Sequence, residues 1–211
     1  MQQPTIFIVD DDPNCVKSLS TQLENAGFLT KTFSFLETFF TFYRDNIPGC
    51  LMIDIRATGN ISIQLVSVLR KKNIHLAVIF LSEQPELQLA VQAIKLGALD
   101  FLEKNIDSAA LVHSTQQALR YNQQQRWYQA ERYRVHNLYR TLTPREKEVI
   151  QGVLSGWMNK KIAAHLEINL KTVEAHRAHI MTKMQANSLT ELVTLAVRHQ
   201  LMQENLLSFA E

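Results

Sequence analysis

The sequence contains no apolar run near the ~18 residues that a membrane-spanning helix needs, so it predicts no membrane partner. Its opening, MQQPTIFIVDDDP, lacks the basic region of a secretory leader and runs directly into acids, which predicts a cytoplasmic protein. Cysteine is scarce. Cys15 and Cys50 sit in apolar surroundings without CxxC spacing, so reduced thiols are expected rather than a bridge or a metal site. Net charge is also small, at +2, but it hides an asymmetry. Residues 1–120 hold 10 Lys and Arg against 12 Asp and Glu, whereas residues 121–211 hold 12 against 8. An acidic half joined to a basic half predicts two domains with different partners, which the length of 211 residues allows.

In the first half, short β-branched or continuously apolar runs alternate with segments of helical spacing. Strands are expected at TIFIV, Phe28–Phe33, Cys50–Ile55, Leu76–Leu81 and Leu99–Leu102. Helices are expected over residues 15–26, 35–43, 61–69, 87–96 and 108–120. That alternation implies an α/β fold, a doubly wound five-stranded parallel sheet covered on both faces. From Tyr121 the texture changes to polar, aromatic and basic, with neither Gly nor Pro up to Leu142. Tyr128, Val135, Leu138 and Leu142 fit a heptad seam. The segment is either a solvated helical linker or a helix that packs on a partner copy. After Leu142 there is no strand candidate, which predicts an all-α second domain.

Ligands of doubly wound sheets bind beyond the carboxyl ends of the strands, so polar residues there are informative. Asp10 and Asp11 end the first strand, Asp54 lies near the end of the third, Ser82 ends the fourth and Lys104 follows the fifth. Taken singly, an Asp at a strand end is a helix cap or turn residue. The five converge only if the strand order is 2-1-3-4-5. Clustered carboxylates repel unless a cation joins them, and a hard ion such as Mg²⁺ prefers such oxygens. A metal beside Asp54 would neutralise an incoming phosphate and leave the carboxylate free to attack phosphorus. Lys104 would supply a positive charge, and the Ser82 hydroxyl could bond a phosphoryl oxygen.

In IFIVDDDP, LMIDIR, FLSE and AVQAIKLGALDFLEK the chain resembles the receiver domains of response regulators, nearest the FixJ/NarL type. The resemblance implies phosphoryl transfer from a histidine kinase to Asp54, with Ser82 as switch hydroxyl and Phe101 as the rotating aromatic. It implies Mg²⁺ held by Asp11, Asp54, the Arg56 carbonyl and, through water, Asp10. Three loop residues depart from the family: Thr58 replaces a proline, Ser62 a glycine, and Asn105 the proline after the lysine. A cis bond before Asn105 would cost about 2.5–4 kcal/mol. Either the loop is trans and Lys104 displaced, or strain is retained.

In the second half, Thr143, Pro144 and Glu146 form a capping box, followed by an apolar stripe through Val149, Ile150, Val153 and Leu154 up to Gly156. Asn159 is expected to cap the next short helix, Ala163 and Ala164 to let helices approach closely, and Asn169 to cap a third helix, Leu170–Met184. Two helices joined by the three-residue turn 167–169 fit a helix-turn-helix. The stretch LTPREKEVIQGVLSGWMNKKIAAHLEINLKTVEAHRAHIMTKM is similar to the LuxR-type DNA-binding domain. That similarity implies base-edge contacts by Glu174, Ala175 and Ala178, and Arg177 on a base or phosphate. It implies backbone contacts by Asn159, Lys160, Lys171, Thr172, His176 and Lys183. Glu167 stands where the family has glycine, at a cost of roughly 1 kcal/mol if φ there is positive. Part of the fourth helix, Leu189–Leu201, would pair domains on DNA or pack the core.

The expected protein is a non-enzymatic transcription regulator: a receiver (1–120), a helical linker (121–141) and a helix-turn-helix domain (142–211). Its partners would be double-stranded DNA, a histidine kinase and, when activated, a second copy bound through the face around Leu87–Leu96 and Gly97. The rivals are a phosphoryl-signalling adaptor that does not read DNA, and a DNA binder working without phosphorylation.

Overall fold

A computed structural model describes residues 3–43, 47–57, 64–72, 74–84, 86–199 and 201. The chain divides into two compact units, Met1–Trp127 and Tyr128–Glu211. No helix among the described residues is long and apolar enough to cross a membrane.

The first unit carries strands β1 (Thr5–Val9), β2 (Leu29–Phe33), β3 (Gly49–Asp54), β4 (Ala77–Ser82) and β5 (Asp100–Glu103). All neighbours pair in parallel in the order β2-β1-β3-β4-β5, as expected. The period-2 geometry of strands divides their side chains between two cores. Phe7, Val9, Leu51, Ile53, Val78 and Phe80 pack with helices α2 (Leu36–Phe42), α3 (Leu65–Lys71) and α4 (Leu87–Lys95). Ile6, Ile8, Cys50, Met52, Ile79 and Leu81 pack with α1 (Pro13–Asn25) and α5 (Ser108–Arg140). Strands buried on both faces explain the continuous apolar runs, and each such buried side chain contributes ~1.5–3 kcal/mol. Burial alone pushes the Cys50 thiol up to about 12, which keeps it inert. The start expected for the third helix, Ile61, lies outside the described residues.

Helix α5 continues through the polar segment after Tyr121. Asn122 is buried, accepts from the Gly49 N–H (3.0 Å) and donates to the His75 carbonyl (2.7 Å). It fastens the helix to the amino ends of β3 and β4. Farther along, Val135 and Leu142 of the expected heptad seam are buried inside the second unit, and Leu138 packs against the same core. Those positions are filled within the chain and do not await a partner copy.

The second unit holds α6 (Pro144–Leu154), α7 (Asn159–His165), α8 (Leu170–Lys183) and α9 (Leu189–Arg198) around a core that includes Val149, Ile150, Ile162, Val173, Ile180 and Leu192. The capping box at Thr143 and Glu146 is present, as is the Asn169 cap of α8. Two expectations need correction. The N-cap of α7 is Met158, because the Asn159 side-chain oxygen accepts from Arg177 Nη1 at 2.8 Å. Ala163 is buried but Ala164 is exposed. A different close approach, of α6 to α7, is made by Gly152, where a Cβ would lie 2.9 Å from Ile162 Cγ1. Glu167 has φ 54° in the turn, the left-handed conformation that glycine adopts freely.

Candidate functional site

The carboxyl edge of the sheet assembles its polar residues by one repeated device. After β1, Asp10 Oδ1 accepts the Asp12 N–H at 3.0 Å; at the end of β3, Asp54 Oδ1 accepts the Arg56 N–H at 2.9 Å. Each carboxylate closes a turn two residues on, which fixes its side chain and aims the second oxygen sideways. Those second oxygens meet at Lys104, whose Nζ is 2.7 Å from Asp10 Oδ2 and 2.7 Å from Asp54 Oδ2. The contact to Asp54 is a hydrogen bond. The one to Asp10 is an ion pair of the same length between two buried side chains. Burial by itself lowers the Lys104 pKa, but hydrogen bonds and charge attraction from Asp10 and Asp54 outweigh it and hold the ammonium above its ordinary range.

The bond before Asn105 is trans, since no cis peptide occurs among the described residues. Lys104 is nevertheless not displaced. Its N–H donates to the Ser82 carbonyl at 2.8 Å, continuing the β4–β5 ladder and placing the residue independently of the peptide that follows. Thr58 and Ser62 lie outside the described residues.

Ligand oxygens of Asp10, Asp11 and Asp54 lie within 4.8 Å of one another, with Asp11 exposed and the other two buried. Three carboxylates brought this close suit a hard divalent cation. Ser82 is buried at the end of β4. Phe101 is half-buried on β5, its ring 6.2 Å from that of Phe80. Cys15, in the first turn of α1, was not expected here. Burial and then a hydrogen bond to Asp10 push its thiol up to about 12. Its place one helical turn beyond the acidic run was the available signal.

In the second unit, Lys171, Glu174, Ala175 and Ala178 are exposed on α8, at spacings that share one helix face opposite Val173 and Ile180. Lys160 is exposed on α7, while Thr172, His176 and Arg177 are half-buried. The Thr172 N–H and hydroxyl both donate to Asn169 Oδ1, at 2.8 and 2.9 Å. An exposed helix face whose first turn offers N–H groups and cations has the form that enters a DNA groove.

Two family descriptions match the chain: "Response regulator receiver domain" over residues 6–116 and "Bacterial regulatory proteins, luxR family" over residues 140–196. The transcriptional regulatory protein FixJ of Bradyrhizobium diazoefficiens is 35% identical over 197 residues, covering 92% of this chain and 94% of that relative. The chain belongs to the FixJ-type response regulators. It is a transcriptional regulator of a two-component system, with a receiver and a LuxR-type DNA-binding domain. The solved response regulator StyR matches with a TM-score of 0.77 and 35% identity, covering 93% of this chain and 99% of that one. Full-length FixJ from B. japonicum matches with a TM-score of 0.57 and 33% identity, covering 96% and 100%.

In this FixJ-type regulator Lys183 is half-buried, and its Nζ lies 2.9 and 2.7 Å from the two Glu146 carboxylate oxygens. Glu146 also accepts from the Thr143 N–H at 2.7 Å, so one buried carboxylate ties the start of α6 to the end of α8. Arg145 braces the same region, donating to Glu148 at 2.6 Å and to the Leu166 carbonyl. Burial by itself raises the Glu146 pKa, but the bonds from Lys183 and Thr143 prevail and hold it below its ordinary value of 4.5. A carboxylate depressed in the folded state adds stability above its unfolded pKa and loses it as pH falls through the folded one. The protection of α6 and α8 amides in the full chain, the ratio of intrinsic to observed exchange rate, is therefore expected to fall as pH drops below about 4.5. Glu146→Gln should flatten that response; an unchanged pH profile would count against the tie.

Proposed function

We propose that Asp54 accepts a phosphoryl group from a histidine kinase and that this event controls duplex DNA binding by α7 and α8. The observation that carries the reading is the sharing of one buried ammonium by Asp54 and Asp10 beside a third carboxylate. Asp10, Asp11, Asp54 and the Arg56 carbonyl are the groups that would hold Mg²⁺. Bound there, the ion would neutralise the oxygens of the incoming phosphoryl group. Asp54 Oδ2 is the oxygen turned toward Lys104, whereas Oδ1 is engaged by the backbone, so Oδ2 is the nucleophile. Lys104 would follow the new charge onto the phosphoryl oxygens. Ser82 Oγ, one strand over, would bond one of them, and Phe101, a strand farther, would fill the space that Ser82 leaves. The chemistry thereby reaches β5 and α4. Leu87, Val91 and Ile94 of α4 are exposed and share a face, and they support pairing with a second copy. Two copies joined in this way would present two α8 helices to neighbouring half-sites.

In the helix-turn-helix unit, Glu174, Ala175 and Ala178 would meet base edges, and Arg177 a base or phosphate. Asn159, Lys160, Lys171, Thr172 and His176 would meet phosphates. Lys183 would reach a phosphate only by leaving Glu146. The test of the acceptor is to treat the full chain with acetyl phosphate and Mg²⁺ and measure its mass. One phosphoryl adduct is expected on the native chain and none on Asp54→Ala. Equal adduct on both, or none on either, overturns the assignment.

A further inference from the structure

His199 caps the end of α9 and is 1% exposed, yet neither nitrogen of its ring has a hydrogen-bond partner among the described residues. Buried polar groups ordinarily find partners, and a neutral imidazole has one N–H and one lone pair to offer. The backbone around it is well held. Two bonds clasp the end of α9 to the part of α5 that belongs to the second unit. The Tyr128 hydroxyl donates to the Arg198 carbonyl at 3.0 Å, and His136 Nε2 donates to the His199 carbonyl at 3.1 Å. The Tyr128 and His199 rings lie 5.8 Å apart. These contacts fix the place of the imidazole and leave both its nitrogens unengaged.

The same surroundings disfavour a positive charge on the ring. Burial comes first, and Arg198 of α9 with His136 and Arg132 of α5 adds to it, so the imidazole is held below its ordinary value of 6.5. Glu131 of α5 pulls the other way, but Arg134 already donates to its two carboxylate oxygens at 2.9 and 2.7 Å.

We propose that His199 makes the junction of α9 with α5 a pH-sensitive joint, closed while the ring is neutral and opened when it takes a proton from solvent. The proton adds to the free lone pair, and the imidazolium then carries two N–H donors without an acceptor among the described residues. Water can satisfy them once the end of α9 parts from α5. A ring kept neutral by burial binds its proton more readily when exposed, so the joint is strongest above about pH 6.5 and weakens as pH falls. This device lies within the second unit and does not depend on Asp54 being the acceptor.

The experiment is hydrogen exchange on the full chain, native and His199→Phe, between about pH 7.5 and about pH 5.5. It follows the protection of amides 192–199, the ratio of intrinsic to observed exchange rate. In the native chain protection is expected to fall by up to about tenfold for each pH unit below about 6.5, the most that one proton can deliver. Phenylalanine keeps a neutral ring in that place, so His199→Phe should hold protection level. His136→Gln should keep the native response. A level native profile, or a response lost in His136→Gln and kept in His199→Phe, overturns the proposal. Equal loss in α8 would mean that the whole unit weakens, and protection rising with acid would mean that Glu131 leaves Arg134 to receive the new charge; either overturns the joint. Should His199→Phe fail to fold, the ring resonances of His199 in the native chain decide. A midpoint below 6.5 that coincides with the loss of protection supports the joint, and a midpoint at or above 6.5, or one passed with protection intact, overturns it.

Discussion

Replacing Lys104 with alanine is expected to destabilise the first unit by about 3–5 kcal/mol in the absence of divalent ions, the usual result of breaking a buried ion pair from one side. The reason lies in what remains. The Asp10 and Asp54 side chains are both 0% exposed, and each has one oxygen 2.7 Å from the Lys104 ammonium, with the exposed Arg56 guanidinium farther off at 3.6 Å from that of Asp54. Without it, two buried carboxylates face each other with only the solvent-exposed Arg56 guanidinium as counter-charge. A divalent cation would relieve the same repulsion. Mg²⁺ should therefore stabilise Lys104→Ala more than it stabilises the native chain, by the mass-action gain of tighter binding. Denaturant unfolding of the full chain, with and without Mg²⁺, measures both effects. Adding Asp54→Asn should return much of the lost stability, because it removes one of the two stranded charges. Equal stability of native and Lys104→Ala protein, or an identical Mg²⁺ response, would defeat the electrostatic account of this pocket.

The sheet order and this cluster were legible because both follow from residue identity at fixed places. Apolar runs fix strands, and a parallel sheet brings their carboxyl ends together. Asp10, Asp11, Asp54, Ser82 and Lys104 consequently meet at the sheet edge that was expected of them. What stayed hidden depends on neighbours rather than on pattern. Periodicity put Val135 and Leu142 on one helix face but could not say that their own unit would cover them. Asn122 lies within a polar run, and nothing there distinguishes it from its neighbours; its burial follows from facing Gly49 and His75, residues distant in the chain. The approach of α6 to α7 depends on Gly152, and nothing in its sequence neighbourhood says that it faces Ile162. Cys15 was overlooked for the same reason: a thiol gains meaning only from what lies opposite, here Asp10.

The largest effect on DNA binding is expected from charge at the start of α8, and the structure sorts its cations into free and engaged. Lys171 and Lys160 are exposed and have no ion-pair partner among the described residues, whereas Arg177 is bonded to Asn159 and Lys183 to Glu146. Each phosphate contact contributes about 0.9 to the slope of log affinity against log salt. Lys171→Ala should therefore lower that slope by about 0.9 per bound copy and weaken binding roughly eightfold per contact at 0.1 M salt, or roughly 60-fold for a pair of copies. The loss should be similar on specific and non-specific duplexes, because a phosphate contact carries no sequence information. Lys160→Ala should behave alike. Lys183→Ala should instead leave the slope nearly unchanged while lowering the stability of α6 and α8, since its charge already serves Glu146. Fluorescence anisotropy titrations at several salt concentrations, beside unfolding curves for the same variants, separate the two behaviours. A slope change for Lys183→Ala equal to that of Lys171→Ala would mean that Lys183 exchanges Glu146 for a phosphate on binding. An unaltered slope for Lys171→Ala would mean that α8 meets the duplex by some other face.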